Sequence, residues 1–308
     1  MTMNVQIREP CGVLIVNKHK GVTSHDIVNQ IRHLYGTRRV GHTGTLDPLA
    51  TGVLVVLIGR AAKASEYLVC DRKKYRAVLR LGLTTDTEDV TGKILTKTEQ
   101  IPCPDEVFRV CSEFRGEILQ IPPMYSALKV GGKKLVDLAR EGKTVTREPR
   151  QVTIHSIKCI KGDNNFDYTL DVDCSSGTYI RTLCADIGQK LGCGAVMAEL
   201  TRLESGGFSL DNGYTVEELK EKKSEELPDL LIPVESLFAS LSEVRLPAFY
   251  EKLCRSGCEI YQKKIGTDYL IGERVRICDE SGAFFALGEL REYPDGSAVK
   301  SIKTFDLG

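Results

Sequence analysis

Asp47 is the one carboxylate in a polar, glycine-punctuated segment, Gly41-His-Thr-Gly-Thr-Leu-Asp-Pro-Leu-Ala-Thr-Gly52, and the imidazole of His42 stands five residues before it. Such a carboxylate suits a nucleophile or a general base. Pro48 biases Asp47 away from helical geometry, and Gly41, Gly44 and Gly52 let the backbone turn tightly or approach a ligand closely. The structural alternative is a helix start, with Asp47 as N-cap and Pro48 at the first helical position.

A carboxylate that stays ionised in a dry site needs a cation to offset its desolvation. Arg181, in Ser176-Gly-Thr-Tyr-Ile-Arg181, is a candidate, because a guanidinium holds a carboxylate through two hydrogen bonds and keeps its own charge. Alone, it reads more readily as a surface ion pair. Tyr75, between Lys74 and Arg76, suits stacking on a planar base, or half-burial in a strand.

The surrounding pattern says which elements carry these residues. Residues 12–16 read as a buried strand, and Thr23-Ser24 caps a helix with Ile27, Val28, Ile31 and Leu34 on one face and Gly36 at its end. Residues 53–58 read as a central strand, 61–68 as a short helix and 75–81 as an alternating strand. Asp47 therefore lies on a connection entering a sheet. Residues 84–92 form a polar loop holding Asp86, Glu88 and Asp89, and residues 105–114 a helix. Pro122-Pro-Met-Tyr-Ser-Ala-Leu-Lys-Val-Gly-Gly132 then leads into a basic, glycine-rich turn that suits a protruding arm. Strands at 152–160 and 166–174 frame the Tyr179-Arg181 segment, which opens a helix marked by Leu183, Ile187 and Leu191 and closed by Gly192. Thr215-Val-Glu-Glu218 is a capping box. A charged linker at 217–229 precedes a tail of short β-rich runs at 269–271, 274–278, 284–290 and 298–302, as in a small barrel-like module.

At 308 residues the chain exceeds the size of most single cores, so one large and one small domain are expected. No apolar run approaches the roughly 20 residues of a membrane span, and the first ten residues lack a secretory pattern, so a cytoplasmic protein is expected. The 11 cysteines are scattered singly and read as reduced thiols. Neither the Cys254/Cys258 pair nor the five histidines show metal-ligand spacing. Metal-dependent phosphoryl chemistry at Asp86 and Asp89 lacks a phosphate-cradling loop. Lys and Arg, 42 in all, equal Asp and Glu. They are nevertheless clustered: Lys18, Lys20, Arg32, Arg38 and Arg39 in one stretch, Lys129, Lys133, Lys134, Arg140, Lys143, Arg147 and Arg150 in another. That suits RNA or DNA, or a solvated face.

Taken in order and spacing, the Asp47 segment, Lys74-Tyr75-Arg76, Ser176-Gly-Thr-Tyr179-Ile-Arg181 and Glu199-Leu200-Thr-Arg-Leu resemble the TruB family of tRNA pseudouridine synthases. Pro122 to Lys129 and Leu138-Ala-Arg-Glu-Gly142 resemble it too. The likeness is close over 11–235 and looser in the tail. It implies an α+β pseudouridine synthase fold, with a mixed, mostly antiparallel sheet flanked by helices and Asp47 in a cleft across it. Residues 1–235 would be the catalytic domain, with a thumb-like insertion at about 124–150 whose arm around Gly131 to Gly142 would be loosely ordered without RNA. Residues 244–308 would be a small PUA-like RNA-binding β module.

The resemblance also implies isomerisation of uridine at position 55, in the TΨC arm of tRNA, with the base flipped out of its stack and no cofactor or metal. Asp47 would attack or deprotonate the nucleotide, and Arg181 would be its ion-pair partner. Tyr75 would stack on the uracil and is a candidate to help remove the C5 proton, Tyr179 and Leu200 would line the pocket, and His42 would fill the vacated space. Lys18, Lys20, Arg38, Arg39, Lys129 and Lys133 would grip backbone phosphates. The short ends and balanced charge suit a monomer that reads tRNA without guide RNA, obligate protein partner or membrane. The alternative is an RNA-binding or tRNA-folding chaperone with secondary isomerase activity. One departure stands out: Lys18-His19-Lys20-Gly21 replaces the family's common Lys-Pro-x-Gly, which touches turn rigidity rather than catalysis.

Overall fold

The computed structural model describes residues 9–67 and 72–305. Its main sheet has nine strands, of which eight matter here: β1 (Gly12–Lys18), β2 (Val40–His42), β3 (Thr51–Ile58), β4 (Arg72–Leu81), β5 (Gly116–Gln120), β6 (Arg150–Lys161), β7 (Asp167–Ser175) and β8 (Ala195–Ser205). The order is β1-β3-β8-β4-β7-β6-β5, with β2 paired to β3. Only β3 and β8 run parallel, meeting at Thr51↔Thr201 and Gly52↔Arg202. The expected mixed, mostly antiparallel sheet is therefore what forms.

Gly12-Val-Leu-Ile-Val16 and Val53-Leu-Val-Val-Leu-Ile58 are buried on both faces, as continuous β-branched and aliphatic runs require. Strand β4 alternates instead. Tyr75, Ala77, Leu79 and Leu81 enter the core, while Arg72, Lys74, Arg76 and Arg80 face solvent and pair with Asp173, Glu204, Asp171 and Asp167 on the flanking strands. Helix α1 (Ser24–Leu34) starts at a capping box, with Thr23 as N-cap and Asp26 answering from the third position. Its residues Ile27, Val28 and Ile31 pack with Leu14, Val16, Leu54 and Val56.

Several expectations change. The central strand β8 is not among the expected elements, because Ala195-Val-Met-Ala-Glu-Leu-Thr-Arg-Leu-Glu-Ser205 shows no clean alternation and carries two register shifts against β4. Residues 269–271 form no strand: Leu270 is 79% exposed on a turn closed by Glu273 N–H on the Leu270 carbonyl. A short helical turn does follow β3, but as a 3-10 helix over Gly59–Glu66, and Leu68 lies outside the described residues. The charged linker is folded, with helix Val216–Glu221 and its neighbours burying Val216, Leu219 and Leu227 against the main core.

The arm is folded as well. A hairpin joins Lys129–Val130 to Lys133–Lys134, and helix Leu135–Arg140 follows, its Leu135 and Leu138 buried. The Leu135 N–H donates to the Leu128 carbonyl at 2.7 Å and the Val136 N–H to the Ser126 carbonyl at 3.1 Å. Loose order is therefore not what the structure shows for this segment.

The C-terminal sheet comprises β9 (Ser242–Arg245), β10 (Ile260–Tyr261), β11 (Arg274–Cys278), β12 (Phe284–Tyr293) and β13 (Gly296–Thr304) in the order β9-β11-β12-β13-β10. Val275, Ile277, Leu290 and Val299 form its core. A second cluster joins this sheet to the first, with Phe238, Phe284 and Phe305 packed against Val13, Ile15, Val53 and Val55. The three rings lie 5.5–6.0 Å apart, within aromatic contact.

Candidate active site

Asp47 sits in the loop between β2 and β3 and starts no helix. The Ala50 N–H donates to the Asp47 carbonyl at 3.0 Å, closing a single turn over Pro48-Leu49, and the chain then enters β3. Around that turn the loop is bonded from several directions. Ser24 Oγ, buried at the head of α1, donates to the Leu46 carbonyl at 3.0 Å and accepts the Leu46 N–H at 2.8 Å. The Gly21 N–H donates to the Pro48 carbonyl at 2.8 Å. Arg202, 1% exposed, donates through Nε to the Val53 carbonyl at 2.7 Å, through Nη2 to that of Gly44 at 2.9 Å and through Nη1 to that of Thr45 at 3.4 Å.

Of the three glycines singled out in this segment, only Gly52 has positive φ, at +100°. A Cβ there would lie 2.2 Å from the Arg202 carbonyl, so the crossing of β3 on β8 requires glycine. Lys18 corrects an expectation. It is opposite Gly52 in the β1–β3 register, fully buried, and its Nζ donates to the Ala50 carbonyl at 2.6 Å. It cannot reach a phosphate. Burial pushes its pKa down to about 8, with Arg202 adding to the shift and Asp47 and Asp26 opposing it.

Helix α4 (Ile180–Lys190) supplies the cation; it is numbered after α2 (Pro104–Ser112) and α3 (Leu135–Arg140). Tyr179 is its N-cap, fixed by the buried amide of Gln120, which accepts the Tyr179 N–H at 3.0 Å and donates to its carbonyl at 3.2 Å. In the first turn, Arg181 grips Asp47 with both prongs, Nε to Oδ2 at 2.9 Å and Nη2 to Oδ1 at 3.2 Å. The guanidinium also donates to the Tyr125 carbonyl at 2.8 Å and, through Nη1, to that of Thr87 at 3.2 Å. Asp89 Oδ2 stands 4.0 Å from Nη1. Asp89 is itself held by the hydroxyls of Thr87 and Thr91 and the Thr91 N–H.

Arg181 is 5% exposed, whereas about a third of the Asp47 side chain, 34%, remains open. That opening faces a cavity of about 310 Å³ lined by Thr45, Leu46, Lys73, Tyr75, Ala127, Leu128, Tyr179 and Leu200 together with the ion pair. Desolvation raises the Asp47 pKa; Arg181 and Lys18 pull it down, and Asp89 pushes it up. Burial likewise raises the Tyr75 phenol, against the Arg202 guanidinium beside it, so the ring is neutral in ordinary conditions.

The structure thus gathers Asp47, Tyr75, Tyr179, Arg181 and Leu200, drawn from separate segments, around one cavity. His42 does not line it. It ends β2 with Nδ1 buried and without a hydrogen-bond partner among the described residues. Burial, then Arg202 and His25, lower its pKa and keep the imidazole neutral. Lys20, Arg38, Arg39, Lys129 and Lys133 are exposed, and Arg39 pairs with Glu9. Among the described residues, the one three-ligand group, Glu235, Glu243 and Cys278, already holds the Arg276 guanidinium.

Sequence reasoning misses Ser24, Asp89, Gln120, Tyr125 and Arg202 as parts of this site. Arg202 carries a signal, two residues beyond Leu200, but only recognition of β8 as a strand would expose it. Asp89 reads as a loop acid, and nothing local marks it as facing a guanidinium.

The same segments align with known proteins. The family model described as TruB family pseudouridylate synthase (N terminal domain) matches residues 32–180. That described as tRNA pseudouridylate synthase B C-terminal domain matches residues 181–239. The chain is 46% identical over 260 residues to a tRNA pseudouridine synthase B of Alkaliphilus oremlandii, covering 84% of each. It is 39% identical over 280 residues to the Clostridium tetani protein of that name, covering 90% of this chain and 95% of the other. A crystal structure of a Cbf5-Nop10-Gar1 complex contains a chain that superposes with TM-score 0.73 at 27% identity, covering 97% of this chain and 86% of that one. A chain of an H/ACA RNP bound to a substrate RNA containing 2'-deoxyuridine shares the fold, with TM-score 0.71 at 24% identity over 96% of this chain and 86% of that one.

Proposed function

Because the chain belongs to the TruB family and isomerises uridine to pseudouridine in tRNA, we propose that its target is uridine 55 of the TΨC arm and that the Asp47–Arg181 pair carries the chemistry. The supporting observation is that pair itself: a bidentate grip at the floor of a cavity walled by Tyr75, Tyr179 and Leu200. The reaction breaks the bond from C1′ to N1, turns the uracil and joins C1′ to C5. The nucleotide gains and loses no atoms overall, so a carboxylate that adds or deprotonates, and a wall that retains the detached base, suffice.

Asp47 acts on the nucleotide in its ionised form, and Arg181 stabilises that form against desolvation. The neutral ring of Tyr75 stacks on the flipped uracil. Tyr179 and Leu200 bound the pocket. His42, flat and uncharged, fills the gap left in the RNA, where a charged imidazolium would be costly to desolvate. Exposed Lys20, Arg38, Arg39, Lys129 and Lys133 hold backbone phosphates, and the C-terminal module adds contacts beyond the catalytic domain. The enzyme works as a monomer without guide RNA.

The test is Asp47→Asn with an unmodified tRNA transcript. Wild type should place pseudouridine at position 55 alone, and the variant should lose turnover while binding tRNA as tightly. Substantial residual turnover would remove Asp47 from its role. Rescue of misfolded tRNA by both proteins at equal rates would show a chaperone activity independent of the carboxylate.

A further inference from the structure

We propose that Gln120 is a positioning residue for the isomerisation: its buried amide clamps the Tyr179 peptide and thereby aims the Arg181 guanidinium at Asp47. The inference rests on the role proposed above for the Asp47–Arg181 pair and adds the group that sets the pair's geometry from behind.

Gln120 stands where hydrophobic burial alone would not put it. It ends β5, the edge strand of the main sheet, opposite Arg150 in the register. The preceding Leu119 is 70% exposed and the following Ile121 50%, while the amide between them is 1% exposed. Two aliphatic side chains thus face solvent and a polar one faces the protein, the reverse of what burial favours. A buried amide is tolerated where hydrogen bonds offset its desolvation. Among the described residues both side-chain bonds of Gln120 go to one partner: Oε1 accepts the Tyr179 N–H at 3.0 Å, and Nε2 donates to the Tyr179 carbonyl at 3.2 Å. The side chain pairs with the backbone groups of Tyr179 much as a neighbouring strand would.

The helix itself does not require that pairing. The Leu183 N–H donates to the Tyr179 carbonyl at 3.0 Å and closes the first turn of α4 from within. What Gln120 fixes is direction. Tyr179 follows the exposed Ser176-Gly177 turn, with Gly177 at a φ of +86°, and its own side chain caps nothing. Two residues on, Arg181 spends its guanidinium on Asp47 and on the carbonyls of Tyr125 and Thr87, groups that belong to three other segments. Its aim therefore depends on where the head of α4 is pinned, and the Gln120 amide pins it to the sheet edge. Tyr179 also lines the cavity, so one amide steadies both the wall and the ion pair.

The experiment measures pseudouridine formation by the full-length protein on an unmodified tRNA transcript. Gln120→Met keeps the side chain's length and removes the amide; Gln120→Asn keeps the amide but shortens its reach by about 1.5 Å, one carbon–carbon bond. In both, the single-turnover rate under saturating conditions should fall roughly ten- to a hundredfold, the scale of a small misplacement of a reacting group, with tRNA affinity little changed. The acidic limb of that rate should move to higher pH, because a slackened Arg181 supports the ionised Asp47 less. Adding Gln120→Met to Arg181→Ala should cost little beyond the loss from Arg181→Ala alone. Val216→Ala, a truncation in the folded linker helix, is the control for stability: it should lower the melting temperature and leave rate and limb in place. Unchanged rate and limb in whichever Gln120 variant folds, losses that multiply in full, or the same shift in Val216→Ala would overturn the positioning role. A wild-type rate in Arg181→Ala would instead overturn the reading of the ion pair on which it rests.

Discussion

Ser24 and Leu46 are bonded to each other twice, the hydroxyl donating to the Leu46 carbonyl at 3.0 Å and accepting its N–H at 2.8 Å. One buried hydroxyl on a helix therefore satisfies both backbone groups of the residue preceding Asp47. The carboxylate is held less by its own turn than by the helix behind it.

Ser24→Ala should leave both Leu46 groups unpaired in a dry site, at a cost of about 1–3 kcal/mol. The expected outcome is a lower melting temperature and a reduced kcat with KM for tRNA little changed. Equal kcat at saturating tRNA would show that the loop keeps its position without the clamp.

Single-turnover rates should fall as pH falls, because the role proposed for Asp47 needs an ionised carboxylate and burial raises its pKa. The midpoint of that acidic limb should lie above the ordinary aspartate value of about 3.9. Arg181→Ala removes a cation that favours the carboxylate, so the limb should move to still higher pH and kcat should drop by roughly a hundredfold or more, with tRNA affinity retained. A limb that stays put in the variant would mean that Arg181 merely positions the loop.

Gly52→Ala forces a Cβ to within 2.2 Å of the Arg202 carbonyl at a φ of +100°. Denaturant unfolding should report a loss of about 3 kcal/mol or more. Gly41→Ala, where a Cβ meets nothing within 4 Å, should be nearly silent. Similar stabilities for the two variants would refute the required close crossing of β3 on β8.

Replacing Lys20, Arg38 or Arg39 with alanine should weaken tRNA binding and lower the salt slope by about 1 for each phosphate that the side chain neutralises. Lys18→Met should leave the slope unchanged and lower stability, because its amine bonds the Ala50 carbonyl inside the protein. A reduced slope for Lys18→Met would show that this amine reaches the RNA after all.

Much of the frame is legible in the sequence because its signals are local. The aliphatic runs of β1 and β3, the Thr23 and Thr215 capping boxes and the alternation of β4 each follow from a few adjacent residues. Strand β8 is not, since its register shifts and Ala/Glu content hide a strand whose identity depends on both neighbours. Lys18 misleads for a related reason: composition counts its charge, but only pairing with Gly52 shows that the side chain points inward. At the site, Asp47, Tyr75, Tyr179, Arg181 and Leu200 come from motifs with their own chemistry. The groups that brace them are carbonyls and buried amides, which any residue type can supply.

Helix α3 and its hairpin belong to an arm whose root is Tyr125, and the Tyr125 carbonyl accepts a hydrogen bond from the same Arg181 nitrogen that holds Asp47. The arm and the carboxylate thus share one donor group, so their free energies are linked. Whatever seats the arm also favours the gripped carboxylate, and by reciprocity a well-held carboxylate favours the seated arm. A poorly fitting RNA that lifts the arm would loosen Arg181 as it does so, making discrimination between substrates a matter of rate as well as affinity.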